Sequence, residues 1–174
     1  MIIRQEKTSD YDEVYQLVKK SFATVYEDGK EPDEQDYLDE LREKEEFIPE
    51  LSFVAENDEG KLIGQIVLYK TSIDTAQGKL VELLLSPICV HPNYFRRGIA
   101  RAMVETALSK AKEMGFKAVF LCGESEIYKG LGFVPSYEYN ITHKEDKTKT
   151  AQWSMVRELY KGALKGISGK IDTI

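Results

Sequence analysis

The chain has 174 residues, of which 42% are hydrophobic and 31% are charged, and its formal net charge is -6. This length can close one sizeable core, which predicts a single domain over residues 1–174. The acidic balance argues against nucleic acid or an anionic membrane as the main partner. No apolar stretch is long enough to span a bilayer, and residues 1–6 lack the pattern of a secretion signal, so we expect a cytoplasmic protein.

In the first third of the chain, the spacing of apolar residues and the presence of capping residues predict strands and helices. Thr8, Ser9 and Asp10 supply N-cap chemistry for one helix, and Pro32 and Asp33 favour the start of another. Short apolar runs bounded by turn residues predict strands. The predicted elements are a strand at 2–4, a helix after Asp10, a helix from Pro32, and a hairpin of strands at 51–55 and 62–69.

Residues 27–50 are strongly acidic, and Lys30, Arg42 and Lys44 are the only basic residues among them. The favoured interpretation is a solvated helix face that keeps the protein soluble. The alternative is a rim whose electric field attracts a cationic amine. Both interpretations stay open at the level of sequence.

A long apolar run at residues 80–90 predicts a strand with both faces covered. Pro87 lies within it and cannot donate a ladder hydrogen bond, so we expect pairing to be interrupted there. The spacing of apolar residues predicts a helix from Ile99 to about Met114, and residues 117–122 predict another buried strand. Strand, helix and strand in this order imply a local parallel pair.

The turn between the run at 80–90 and the following helix carries the first functional signal. Two adjacent arginines, Arg96 and Arg97, precede Gly98, and the helix begins at Ile99. The first N–H groups of a helix lack intrahelical partners, and the helix dipole favours negative charge there. Gly98 leaves room for a close approach to the backbone, and the arginines add charge-assisted hydrogen bonds. The turn is therefore predicted to bind a phosphorylated ligand.

The same residues carry a resemblance to a known family. The sequence FRRGIA at residues 95–100 resembles the acyl-CoA-binding pattern of the GNAT superfamily of N-acetyltransferases. That pattern reads Gln or Arg, two residues, Gly, one residue, then Gly or Ala. Gly98 and Ala100 match the pattern, whereas Phe95 stands where Gln or Arg is usual.

A second motif strengthens the resemblance. The sequence EIYKGLGF at residues 126–133 is similar to the segment that follows the fifth strand in this superfamily. Tyr128 aligns with a tyrosine that is often found beside the CoA sulfur. Together with the tail after residue 159, the two motifs are most similar to the YhbS-like branch of the superfamily.

The resemblance implies an α+β (mixed α/β) fold in three layers. The central sheet is expected to be mixed and mostly antiparallel, with about six or seven strands and a splayed parallel pair, and to be flanked by helices. Residues 137–141 and 152–159 are predicted to form two of these strands. The tail after residue 160 is predicted to be irregular.

The resemblance also implies an acetyl-CoA-dependent acyltransferase that moves an acetyl group directly to an amine. The acceptor would be a small molecule or a peptide, no metal is expected, and a homodimer stays open. The residues expected to contact acetyl-CoA are Ile88, Cys89, Val90, Arg96, Arg97, Gly98, Ile99, Ala100, Arg101 and Tyr128.

Tyr128 and Glu82 are the predicted catalytic residues. A phenol with a pKa near 10 is protonated at neutral pH and can donate a proton to a leaving thiolate. Free N–H groups at 88–90 would stabilise the oxyanion. Glu82, in an apolar strand, is the candidate general base, and the equally weighted alternative is that it faces solvent at the start of the strand. Glu124 and Glu126 are further candidates, and a neutral amine needs no dedicated base.

The cysteines and histidines are predicted to be structural. Cys89 and Cys122 lie in apolar runs without CxxC or zinc spacing, so two buried free thiols are expected, and an acyl-Cys89 intermediate is the alternative. His91 is expected to shape the turn, and His143 to lie solvated in a polar loop. Two histidines this far apart do not indicate a His-rich metal centre.

Two other functions fit parts of the pattern. A regulatory module could bind acyl-CoA without catalysing acyl transfer. Phe95, which departs from the family pattern, leaves this possibility open, whereas Tyr128 argues for catalytic activity. A generic nucleotide-phosphate binder is the third interpretation, but the chain lacks a Walker-A lysine arrangement.

Overall fold

The chain folds into two compact units, seen in a computed structural model that describes residues 1–173. Strands β3 (Leu62–Thr75) and β4 (Gly78–Val90) contribute residues to both units. The single domain over residues 1–174 stays a prediction. The first unit comprises Met1–Leu68 and Ser86–Ala107, and the second comprises Tyr69–Leu85 and the chain from Leu108 onward.

The first unit begins with a strand pair and a helix pair. β1 (Ile2–Gln5) pairs antiparallel with β2 (Phe47–Glu56). α1 (Tyr11–Phe22) packs against α2 (Glu34–Arg42). Spacings of three and four residues place the buried apolar side chains on one face of each helix, as the sequence predicted. These side chains are Val14, Leu17, Val18, Leu38 and Leu41.

Both strands of the hairpin, β2 and β3, are longer than the sequence indicated. β2 begins at Phe47 rather than at residue 51, and β3 continues to Thr75 rather than ending at residue 69. The missed part of β2 carries Pro49 and Glu50 and belongs to the acidic segment, yet Ile48 is buried. Backbone pairing and burial overrode the local composition here.

Helix α3 (Ile99–Glu113) confirms the predicted helix and its apolar stripe. Its buried residues include Met103, Val104 and Ala107. Gly64 on β3 explains how closely strand and helix approach, because a Cβ built there would lie 2.9 Å from the sulfur of Met103. A side chain at this position would therefore push α3 away from β3.

The second unit is built around a short buried strand, β5 (Ala118–Cys122). It pairs parallel with β4 through Leu83 opposite Val119 and Leu84 opposite Phe120, and antiparallel with β8 (Ser154–Glu158) along its length. The parallel pair confirms the strand–helix–strand prediction. The elements of this unit after α3 are β5 (Ala118–Cys122), α4 (Ser125–Lys129), β6 (Val134–Pro135), β7 (Ile141–His143), β8 (Ser154–Glu158) and β9 (Gly169–Ile171).

The strands form one mixed sheet, nine-stranded over residues 1–173, with the order β1-β2-β3-β4-β5-β8-β6. β9 lies off this path and pairs parallel with β7 and antiparallel with β3. The mixed sheet flanked by helices confirms the predicted fold class. Within residues 1–173, none of the helices combines the length and apolar character needed to cross a membrane.

One prediction for the last third of the chain is wrong, and a second one is wrong in part. The strand predicted at 137–141 is largely a 3-10 helix, Ser136–Tyr139, which ends at Asn140 in the left-handed conformation (φ 59°). The tail forms neither a helix nor a strand over residues 160–168, but it then contains β9, whose partners β3 and β7 lie earlier in the chain. Such distant pairing leaves no local sequence signal, because the hydrogen bonds depend on where the neighbouring strands end up.

Candidate functional site

The turn that joins β4 to α3 is held by His91. The backbone N–H of His91 donates to the carbonyl oxygen of Ile63 (2.8 Å), and the ring Nδ1 of His91 accepts from the backbone N–H of Asn93 (3.1 Å). Desolvation lowers the pKa of the buried His91 ring, and nearby lysine charges act in the same direction. A neutral ring with these bonds has the structural role expected from the sequence. The 3-10 helix Pro92–Tyr94 follows directly.

The backbone after this 3-10 helix turns through two left-handed positions. Arg96 has φ 61° and Gly98 has φ 79°. The N–H of Ala102 donates to the oxygen of Gly98 (3.0 Å), and the N–H groups of Ile99 and Ala100, at the start of α3, lie too early in the helix to have an intrahelical acceptor. A Cβ built on Gly98 meets nothing within 4 Å, which means that the backbone here borders open space. This arrangement suits an anion that approaches the start of α3.

Cationic side chains surround this helix start. Arg96, Arg97 and Arg101 are exposed, whereas Ile99 is buried and anchors the first turn of α3. The Arg97 guanidinium lies 5.1 Å from the centre of the Tyr94 ring, a distance at which a cation interacts with an aromatic face. Charged groups and main-chain donors thus lie close together within one short segment of the first unit.

The end of β4 presents main-chain donors in alternating directions. The N–H of His91 points to β3, where it bonds Ile63. Successive N–H groups of a strand point to opposite edges, so that of Cys89 also faces β3, while those of Ile88 and Val90 face away from it. The geometry therefore favours Ile88 and Val90 over Cys89 as donors to a ligand.

Cys89 itself is a buried free thiol, as predicted. Burial raises its pKa to about 12, with smaller opposing effects from Ser21 and the backbone of Gln65. Very little thiolate exists at neutral pH under these conditions, and the thiolate is the nucleophilic form. The alternative of an acyl-Cys89 intermediate is disfavoured for this reason.

Tyr128 lies in α4, at the C-terminal side of β5. Its ring contacts Phe133 edge-on, with centroids 6.1 Å apart. The backbone of Gly123 also lies against the ring, because a Cβ built on Gly123 would be 2.5 Å from Cε2 of Tyr128. Desolvation raises the pKa of Tyr128, and the charge of Glu124 raises it further. The hydroxyl is therefore protonated at neutral pH and able to act as an acid.

Glu82 is placed differently from both expectations. It is 2% exposed, so it does not face solvent, and its Oε2 accepts hydrogen bonds from the N–H groups of Lys117 (2.9 Å) and Ala118 (3.2 Å). Desolvation raises its pKa, while these two bonds lower it.

The structure does not bring Glu82 and Tyr128 together. Glu82 bonds the beginning of β5, and Tyr128 follows its end, so the length of the strand separates them, about 16 Å at 3.3 Å per residue. Satisfying two amides at the start of β5 is a structural role. Glu124 and Glu126 lie at the Tyr128 end of β5, and both are exposed.

Two predictions about cysteine and histidine burial are wrong. Cys122 is exposed at the end of β5. His143 is buried, because its Nδ1 accepts from the N–H of Glu145 (3.1 Å), its Nε2 bonds the Thr173 hydroxyl (2.8 Å), and its ring packs on Trp153. One of these partners, Thr173, lies in the C-terminal segment, which the sequence did not connect to His143.

The acidic segment uses several of its carboxylates within the protein. Asp36 accepts from the hydroxyl of Tyr15 (2.8 Å), and Asp39 pairs with Arg42 (2.6 Å). Arg42 also stacks on Tyr11, 3.8 Å from the ring centre. Tyr11, Tyr15, Asp39 and Arg42 border an open cleft of about 410 Å³ between α1 and α2. Across residues 1–173 no group of histidine, cysteine or carboxylate side chains is arranged to hold a metal ion.

The family model described as "Acetyltransferase (GNAT) domain" matches residues 2–136 of this chain. The chain belongs to the GNAT acetyltransferase family. This confirms the superfamily predicted from the two motifs, and the match includes the β4–α3 turn and the Tyr128 segment.

Individual relatives of this GNAT protein agree with the family assignment. The uncharacterized N-acetyltransferase YjhQ of Escherichia coli strain K12 is 29% identical over 102 residues, which is 59% of this chain and 56% of YjhQ. The crystal structure of YhbS from Escherichia coli in complex with CoA has a TM-score of 0.83 and 26% identity, and the match covers 99% of this chain and 89% of YhbS. An acetyltransferase from Brucella melitensis in complex with acetyl-CoA shares the fold, with a TM-score of 0.75, 21% identity, and coverage of 99% and 95%.

One residue beside the candidate acid was not singled out from the sequence. Gly123 lies between β5 and α4, and its missing side chain lets the Tyr128 ring lie against the backbone. The sequence signal that could have identified Gly123 is a glycine just before the helical turn. Such a glycine indicates a close contact between a side chain and the backbone as readily as it indicates a flexible loop.

Proposed function

We propose that this GNAT protein is an acetyl-CoA-dependent N-acetyltransferase that transfers the acetyl group directly to an amine. The observation that supports this best is the β4–α3 turn, where the backbone of Gly98, at φ 79°, borders open space next to the start of α3, an arrangement that suits an anion. The similarity to YhbS, whose structure contains CoA, supports CoA as the carrier of that anion.

The phosphates of acetyl-CoA would bind the start of α3. Arg96, Arg97 and Arg101 contribute charge, and the N–H groups at 98–100 contribute hydrogen bonds. The N–H groups of Ile88 and Val90 would then donate to the thioester carbonyl, which gains negative charge as the amine attacks.

The transfer itself needs one proton to move from nitrogen to sulfur. The amine attacks the carbonyl carbon, the carbon–sulfur bond breaks, and the thiolate takes the hydroxyl proton of Tyr128. The nitrogen loses its extra proton, which restores the phenol through solvent, so that the products are the N-acetyl compound and CoA. The raised pKa of Tyr128 keeps it protonated until sulfur leaves.

We do not assign the base to Glu82, because its carboxylate bonds two amides at the opposite end of β5. An acceptor that arrives as a neutral amine needs no dedicated base. For an ammonium acceptor, Glu124 is the better candidate, since its charge acts on Tyr128 and it is exposed.

The acceptor class is a small-molecule or peptide amine, and a homodimer is compatible with this proposal. The proposed compartment is the cytoplasm, because Cys89 and Cys122 are free thiols and a reducing compartment maintains them.

An assay of CoA thiol release with acetyl-CoA and a broad amine panel tests the proposal. We expect amine-dependent release at a rate that saturates with acetyl-CoA. Tight CoA binding without release for any amine would instead support the regulatory module. Binding of ATP as tight as that of CoA would support the generic nucleotide binder.

A further inference from the structure

Phe95 is an exposed aromatic side chain inside the proposed cofactor turn. It is 49% exposed and lies between the 3-10 helix Pro92–Tyr94 and the left-handed Arg96. Over residues 1–173, no ring contact or cation contact joins Phe95 to another side chain. The face of its ring is therefore available to a ligand.

The neighbouring Tyr94, in contrast to Phe95, makes its contacts within the protein. Its ring meets His91 edge-on at 5.8 Å and the Arg97 guanidinium at 5.1 Å, and its hydroxyl accepts from the side chain of Asn57 (3.1 Å). These contacts fix the turn from within. Phe95 follows on a turn that is already ordered, so presenting its ring to a ligand costs little conformational entropy.

The surroundings of Phe95 indicate the kind of ligand. Exposed arginines follow it directly, and the start of α3 comes next, where the N–H groups of Ile99 and Ala100 lie too early in the helix to have an intrahelical acceptor. An aromatic face beside phosphate-binding groups is the arrangement that binds a nucleotide, because any base presents a flat π-face that stacks on an aromatic ring.

We propose that Phe95 is the platform on which the adenine ring of CoA stacks, and that it makes the protein selective for the nucleotide end of the cofactor. The inference rests on the proposed function and deepens it, since it adds a specificity-determining residue where the family pattern has Gln or Arg. The phosphates bind the arginines and the start of α3, and Phe95 recognises the base.

The test compares two ligands that differ in the nucleotide end. The dissociation constants of CoA and of 4′-phosphopantetheine, which lacks the adenosine, its 3′-phosphate and one phosphate of the diphosphate, are measured by calorimetry for wild type, Phe95→Ala and Phe95→Trp. We expect Phe95→Ala to weaken CoA binding about tenfold and to leave 4′-phosphopantetheine binding unchanged, while Phe95→Trp binds CoA at least as tightly as wild type. Tyr160→Ala, which removes another exposed aromatic ring outside the turn, is the matched control and should leave both constants unchanged.

Two outcomes would overturn the inference. Unchanged CoA affinity in Phe95→Ala would show that the ring does not stack, and an equal loss for both ligands would show that it only shapes the turn. Failure of wild type to bind CoA would instead remove the proposed function itself. Quenching of the introduced indole of Phe95→Trp by adenosine 3′,5′-bisphosphate gives a direct readout of stacking, and its absence contradicts the proposal.

Discussion

Replacement of Gly98 by alanine tests the anion site on the backbone. A residue with a Cβ at φ 79° costs about 1–2 kcal/mol of folding free energy, and no further steric cost is expected because the Cβ meets nothing within 4 Å. The Cβ would stand in the space through which a phosphate approaches the amide. Losing one charged hydrogen bond of about 1.5–3 kcal/mol weakens CoA binding by about 10- to 150-fold.

The chain offers a matched control in Gly60, which has the same φ of 79° in the turn between β2 and β3. Its built Cβ lies 3.8 Å from the nearest atom, a carboxylate oxygen of Glu56. Gly60→Ala should lose the same stability in urea denaturation and keep the wild-type dissociation constant for CoA in calorimetry. If Gly98→Ala binds CoA as tightly as Gly60→Ala, the backbone of Gly98 does not receive the phosphate.

Four further changes test the assigned roles. Tyr128→Phe should lower kcat by about 100-fold with acetyl-CoA affinity intact, and wild-type turnover in this variant would exclude Tyr128 as the acid. Gly123→Ala places a Cβ 2.5 Å from the Tyr128 ring, so it should displace the ring and lower kcat at unchanged CoA affinity, whereas normal turnover would contradict the positioning role. Replacing Arg96 and Arg97 together by alanine should raise the dissociation constant of acetyl-CoA about tenfold or more and weaken its salt dependence, and an unchanged constant would count against the site. Glu82→Gln should keep kcat, because the amide oxygen still accepts from β5. In the wild type, Glu82 has a raised pKa when folded, so its ionisation makes stability fall as pH rises from the ordinary carboxyl pKa to the raised one. Denaturation across this pH range should show that the variant loses this dependence, and a collapse of kcat in the folded variant would restore Glu82 as the base.

The sequence predicted those parts of the fold whose signals are local. The stripe of Met103, Val104 and Ala107 follows helical spacing, and the predicted start of α3 at Ile99 is confirmed. The β4–α3 turn could be recognised because its chemistry, two arginines and a glycine before a helix, lies within a few consecutive residues. The two motifs at residues 95–100 and 126–133 were sufficient to identify the superfamily.

The sequence failed where distant residues decide the outcome. The burial of Glu82 depends on two amides of β5, and that of His143 depends on Thr173. β9 forms in a tail of glycines because β3 and β7 provide its hydrogen bonds. The composition of a strand also does not show to which edge each backbone N–H points. This direction favours the N–H of Val90 over that of Cys89 as a donor to a ligand.

Backbone amide NMR during a titration with CoA observes the proposed hydrogen-bond donors themselves. We expect the amide resonances of Gly98, Ile99 and Ala100 to move downfield in proportion to bound CoA, and those of Ile88 and Val90 to respond further when acetyl-CoA replaces CoA. Saturable CoA binding that leaves these five resonances in place, while amides elsewhere in the chain move, would contradict this expectation.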